Sequence, residues 1–165
     1  MKQNLIIWLF YMFCLFVSII SLFFAKGEKK DIVNKSYHFS FYFLVILLSL
    51  FISVTYLFYP NYINNIIGVD RSIFQTEMGL LTISISLISI FCSISDSDID
   101  EYTTISLIWG LFFIFIGLRH CYNFFIKDYI FTFEGVGMGI PTFLSGIYLV
   151  VITMMNNHLQ KCQKY

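Results

Sequence analysis

Residues 39–59 read FSFYFLVILLSLFISVTYLFY, an apolar run without a single charge, closed by Pro60. In a helix rising 1.5 Å per residue such a run measures about 31 Å, close to the hydrocarbon thickness of a bilayer. Proline just beyond a helix is an ordinary stop signal. The stretch therefore predicts a membrane-spanning helix, and the rest of the chain is read outward from it.

Residues 5–25 form a second uncharged run of the same length. A cleaved signal has an apolar core of about 7–15 residues. Here the core is longer, only Lys2 precedes it, and no A-x-A site follows. A retained first span is expected. Between the two runs, residues 26–38 carry Lys26, Lys29, Lys30 and Lys35 against Glu28 and Asp31, and read as a polar loop.

Downstream, residues 61–71 hold Asn61, Asn64, Asn65, Gly68 and an Asp70-Arg71 pair, and read as a connection. Ser72-Ile73-Phe74-Gln75 fits a capping box, which starts a helix expected over 72–95. Asp96, Asp98, Asp100 and Glu101 make an acidic turn before a helix over 102–125. Gly135, Gly137 and Gly139 weaken a helix start, whereas Pro141 suits a first turn. The last helix is expected over 140–158, with 127–139 an outer loop, a re-entrant piece, or part of one long helix from Tyr129. The fold class is an all-α transmembrane bundle of five hydrophobic helices, about 5–25, 39–59, 72–95, 102–125 and 140–158, in one integral membrane domain of 165 residues.

Composition agrees. Hydrophobic residues make up 58% and charged residues 12%, with a mean hydropathy of +0.79. A soluble domain carries roughly 25% charged residues, so half that cannot clothe a water-facing globule. The net charge is zero, and no basic patch remains outside the apolar runs to suit nucleic acid. Cys14, Cys92, Cys121 and Cys162 form no C-x-x-C pair, which argues against a dithiol or zinc site. No metal or cofactor is expected.

Orientation follows from lysine and arginine. Lys26, Lys29, Lys30, Lys35, Lys161 and Lys164 fall on one side of five spans, and Lys2, Arg71, Arg119 and Lys127 on the other. Six against four places the N-terminus outside and the C-terminus in the cytoplasm of a multi-pass cell-membrane protein. Tyr56, Tyr59, Tyr62, Tyr122 and Tyr129 then gather at the outer interface.

Lipid offers no hydrophobic drive between helices, so small residues matter for packing. Gly79, Thr82, Ser86, Ser89 and Ser93 are spaced 3, 4, 3 and 4. Thr103, Ser106, Gly110, Gly117 and His120 follow a matching heptad seam, with Phe113 between. The short link between the two helices leads us to expect these stripes to face each other. A solute pathway along the hydroxyls is the alternative; packing seams are the commoner use.

Ionisable side chains inside the spans are Glu77, Arg119 and His120. Such groups are costly in hydrocarbon and mark candidate sites. By antiparallel register Gln75, Glu77, Arg119 and His120 lie at one depth near the outer leaflet, and form the candidate binding cluster. Glu77 and His120 are the candidate acid and base if there is chemistry. Gln75 and His120 share the small-residue faces, whereas Glu77 points about 160° from Gln75, toward the second or fifth helix or Glu134. Helix dipoles and snorkelling explain the same residues without a function. No H-E-x-x-H, G-x-S-x-G or phosphate loop occurs.

Ser72-Ile73-Phe74-Gln75-Thr76-Glu77-Met78-Gly79, then Gly117-Leu118-Arg119-His120 and a Gly-rich segment before the last helix, give the last hundred or so residues a resemblance. The chain resembles small bacterial and archaeal integral membrane proteins grouped as a domain of unknown function, DoxX-like in outline. The resemblance implies a fold and no established activity. Three functions remain open at this point. The leading one is a non-enzymatic bundle that binds a partner, a lipophilic small molecule or a second copy of itself within the lipid bilayer. The others are a lipid-modifying enzyme using Glu77 and His120, and a transporter or channel subunit.

Overall fold

The computed structural model describes residues 2–59, 73–95, 99–126 and 136–162. The described residues are helical and contain no strand: α1 (Lys2–Phe24), α2 (Lys29–Phe58), α3 (Ile73–Ile94), α4 (Ile99–Ile126) and α5 (Val136–Lys161). The chain is an all-α bundle. Four of these helices, α2 to α5, are long and apolar enough to cross a membrane; α1 contributes a shorter apolar stretch, Leu9–Phe24.

The distribution of side chains suits a hydrocarbon solvent. Ser18, Ser36, Ser40, Ser49, Ser53, Ser86, Ser89, Ser106 and Ser145 are wholly buried. Phe16, Phe23, Phe24, Phe58, Phe91, Ile94 and Phe115 are exposed. Water would penalise this arrangement, whereas lipid rewards small residues between helices and bulky apolar ones outside. Trp109, Phe113, Phe41, Leu44, Leu48, Leu149 and Cys14 fill the centre, where α1, α2, α4 and α5 converge. α3 leans chiefly on α2.

Three boundaries differ from the sequence expectation. Residues 29–38, expected as loop, are the first turns of α2. At 30 residues α2 is about 45 Å long, so it outreaches the hydrocarbon core and needs no apolar run at that end. Its buried face there is Val33, Ser36, Tyr37 and Ser40, a spacing of 3, 1 and 3 that marks one side of a helix. The reversal from α1 is confined to Ala25–Glu28, where Gly27 has φ +132°, a backbone that a side chain would strain.

α4 starts at Ile99, so Asp100 and Glu101 stand in its first turn rather than in a connecting turn. The Glu101 carboxylate there complements the positive end of the helix dipole. α5 starts at Val136 and takes in Gly137, Gly139 and Pro141. Pro141, buried and six positions into the helix, lacks the N–H that would point back toward position 137. Packing against α4 outweighs these local penalties. Ser72 of the expected capping box, and Glu134 with the expected outer loop at 127–135, lie outside the described residues.

Candidate functional site

α4 and α5 make the most extensive interface, and glycines set its closeness. A Cβ at Gly117 would lie 2.6 Å from the Phe143 Cβ and 2.7 Å from its Cα. One at Gly146 would lie 2.6 Å from the Gly110 carbonyl oxygen and 2.7 Å from the Ile114 nitrogen. Main-chain atoms cannot move aside as a side-chain tip can, so these positions admit only glycine.

The small-residue stripes are buried as a pair of seams, but they do not face each other. The α4 glycines receive α5. The α3 stripe receives α2: Gly79 packs on Leu57, Thr82 hydrogen-bonds Ser53 at 2.8 Å, and Ser86 hydrogen-bonds Ser49. Each hydroxyl has one proton, so in each pair one member donates across the interface. In the Thr82–Ser53 pair the other donates back to its own helix, Ser53 to the Ser49 carbonyl (2.7 Å) or Thr82 to Met78 (2.9 Å). The expectation of an α3–α4 seam came from adjacency in sequence. The polar surface that satisfies the α3 hydroxyls is on α2 instead.

The middle of α2, Phe41–Leu47, is π-helical, and the Leu48 N–H reaches the Phe43 carbonyl five residues back. A widened turn releases carbonyls from the regular ladder, and inside hydrocarbon each needs a donor. The neighbours supply them. The Trp109 indole N–H donates to the Leu44 carbonyl at 3.0 Å, and Ser86 to Ile46 at 3.3 Å. Thus α4 and α3 are pinned to the same irregular stretch of α2.

A further polar layer lies where the start of α2 meets the end of α5. Tyr37 and Ser106 share a hydrogen bond of 3.2 Å, Tyr148 donates to the Ser18 carbonyl at 2.8 Å, and Gln160 donates to Asn34 at 3.4 Å. Asn156 is 1% exposed, yet neither amide atom has a hydrogen-bond partner among the described residues; nor do the Ser36 and Ser145 hydroxyls.

Glu77 and Arg119 are exposed and His120 is half-buried. The Arg119 guanidinium lies within electrostatic reach of His120 and of Tyr56 on α2. Among the described residues no hydrogen bond or ion pair joins Glu77 to His120. Gln75 belongs to the first turn of α3, and its side chain lies outside the described residues. Arg119 and His120 are consecutive in the sequence, and α3 turns its small-residue face, rather than Glu77, to α2.

α3 and α4, separated in sequence only by positions 95–98, touch sparsely. The Tyr102 hydroxyl donates to the Cys92 carbonyl at 2.9 Å and ties the end of α3 to the start of α4. Beyond that tie a groove of about 530 Å³ opens, lined by Ile88, Phe91, Cys92, Glu101, Thr104 and Ile105. It continues as a recess of about 170 Å³ toward Ile85, Ile108 and Trp109. Among the described residues Glu101 is its sole charged lining residue, and Cys92 Sγ lies 3.9 Å from Glu101 Oε2. Sequence reading passed over this groove. The signal was the β-branched and aromatic face Ile85, Ile88, Phe91 opposite Ile105 and Ile108, where small residues would be needed for close packing.

No group of three or more His, Cys, Asp or Glu side chains fit to hold a metal ion occurs among the described residues. Neither a search of curated proteins nor one of solved structures found a match. A family model does match, over residues 4–161 and so beyond the last hundred residues that carried the resemblance. The chain belongs to that family, the family of unknown function DUF6790.

Proposed function

We propose that this chain is a multi-pass integral membrane protein that binds a lipophilic molecule in the groove between α3 and α4, without chemistry of its own. The observation that carries this reading is the sparse contact of α3 with α4 and the apolar groove it leaves. In a bilayer such a groove fills with hydrocarbon, because an empty one forfeits dispersion contacts along its whole lining. Ile88 borders both the groove and its inner recess and is half exposed, so Ile88→Trp would occupy the space without disturbing the core. The purified full chain is expected to retain lipid by native mass spectrometry, and Ile88→Trp to lose it. Equal retention by both proteins would refute the reading.

The same proposal puts the lysine-rich end in the cytoplasm. The Gln160–Asn34 hydrogen bond supports a common end for the first turns of α2 and the last of α5. That end gathers Lys26, Lys29, Lys30, Lys35 and Lys161. Cys162 is exposed and offers a native probe. An impermeant maleimide should label it only after cells are permeabilised, with Cys162→Ser as control; labelling in intact cells would reverse the orientation.

A further inference from the structure

Resting on the groove reading, we infer that the Glu101 carboxylate makes the α3–α4 groove selective for lipids with an ammonium headgroup. Glu101 stands in the first turn of α4, at the start of its membrane-spanning stretch. From it the groove runs inward past Ile105 to Ile108 and Trp109. Seven residues of helix separate Glu101 from Ile108, about 10 Å of depth at 1.5 Å per residue. The site thus has the layout of an amphiphile: one charged group at the membrane surface and an apolar track leading from it into hydrocarbon.

The sign of the charge decides the headgroup. Between residues 72 and 118 the sequence contains Glu77, Asp96, Asp98, Asp100 and Glu101 and no Lys or Arg. The α4 N-terminus contributes only about half a positive charge. That half charge does not outweigh a full carboxylate with acidic neighbours in sequence. Glu101 itself repels a phosphate diester without an amine, such as the headgroup of phosphatidylglycerol, while the lysines at this end of the bundle stand on α2 and α5. An ethanolamine ammonium can donate to a carboxylate oxygen while its acyl chain lies along Ile88 and Ile105. Thr104, one turn on, also lines the groove.

The test uses the full chain in vesicles of equimolar dioleoyl phosphatidylethanolamine and dioleoyl phosphatidylglycerol, released and weighed by native mass spectrometry. The wild type should retain the ethanolamine lipid about five-fold over the glycerol lipid, as expected for one exposed ion pair. Glu101→Gln, an isosteric change at an exposed position, should keep the bound lipid and lose the preference. A wild type without preference, or a preference unchanged in Glu101→Gln, overturns the headgroup inference while the groove reading stands. Lipid retained undiminished in Ile88→Trp overturns the groove reading itself, so the two failures are distinguishable.

Discussion

On one flank of α4, Gly110 and Gly117 meet Gly146 of α5, and the two backbones lie so near that a carbon added at Gly117 or Gly146 overlaps main-chain atoms of the opposite helix. On its other flank, Ile105 and Ile108 meet Ile85, Ile88 and Phe91 of α3 across an open groove. Both flanks are apolar and both face a neighbouring helix, yet only one closes. Apolarity does not drive helices together where the solvent is itself apolar; shape does. Glycine presents a flat surface that a partner can meet along its length, whereas branched side chains standing opposite one another hold the axes apart. The closed flank supplies stability, and the open flank leaves room for a lipid.

The sharpest way to break this contrast is Gly117→Leu. Overpacking a closed interface costs about 1–3 kcal/mol or more, and at about 2–4 °C per kcal/mol the melting temperature in detergent should fall by about 5–10 °C. Ile88→Trp, an enlargement on the open flank, should leave it nearly unchanged. Equal losses from the two would mean that the groove is as tightly packed as the glycine seam.

Trp109 links the two flanks, since it borders the inner recess and also donates to the Leu44 carbonyl in the π-helical stretch. Trp109→Phe keeps an aromatic ring and removes the donor. A buried carbonyl left without its partner costs about 1–3 kcal/mol, so a drop of about 3–8 °C is expected. No change would show that Leu44 finds another donor and that the indole acts by volume alone.

How far the fold is legible from the residues depends on what each helix meets. The uncharged runs at 5–25 and 39–59 announce helices because lipid demands them. The start of α2 was harder to see, since Lys29–His38 reaches beyond hydrocarbon and only the spacing of Val33, Ser36, Tyr37 and Ser40 betrays a helix. Gly137, Gly139 and Pro141 argue locally against the start of α5, and only the Gly117–Phe143 approach explains why it forms. The seams were legible as seams; their partners were not. Nothing in the spacing of Thr82, Ser86 and Ser89 says whether Ser49 and Ser53 or Ser106 and Gly110 will face them, because that choice is made by the packing of the whole bundle. The polar cluster around Glu77 and His120 was a matter of depth alone, and depth does not fix azimuth.

Asn156 tests the closed side in the opposite direction. Its amide is buried without a hydrogen-bond partner among the described residues, which costs about 1–3 kcal/mol on mutational scales. Asn156→Leu, apolar and with the same branching and number of side-chain heavy atoms, should therefore raise the melting temperature by about 2–5 °C. A fall instead would show that the amide is bound to something in the membrane-embedded protein and that the polar layer at this end has a use beyond packing.

The smallest effect is expected at the interface that holds α3 in place. α3 is braced by α2 through Ser86–Ser49 and Thr82–Ser53, and hardly at all by α4. Interhelical hydroxyl bonds in membranes average about 0.6 kcal/mol, because the separated helices find other partners for the same groups. Ser86→Ala also removes a donor to the Ile46 carbonyl, but Ser49 lies 3.1 Å from that oxygen and can replace it. The expected loss is thus about 1–2 °C. A double-mutant cycle with Ser49→Ala isolates the pair, and its coupling should be about the same 0.6 kcal/mol. A coupling of several kcal/mol would reverse the ranking of the two flanks: α3 would then be fixed by a strong polar clamp, and the groove would be held open by α2 rather than by the isoleucines that line it.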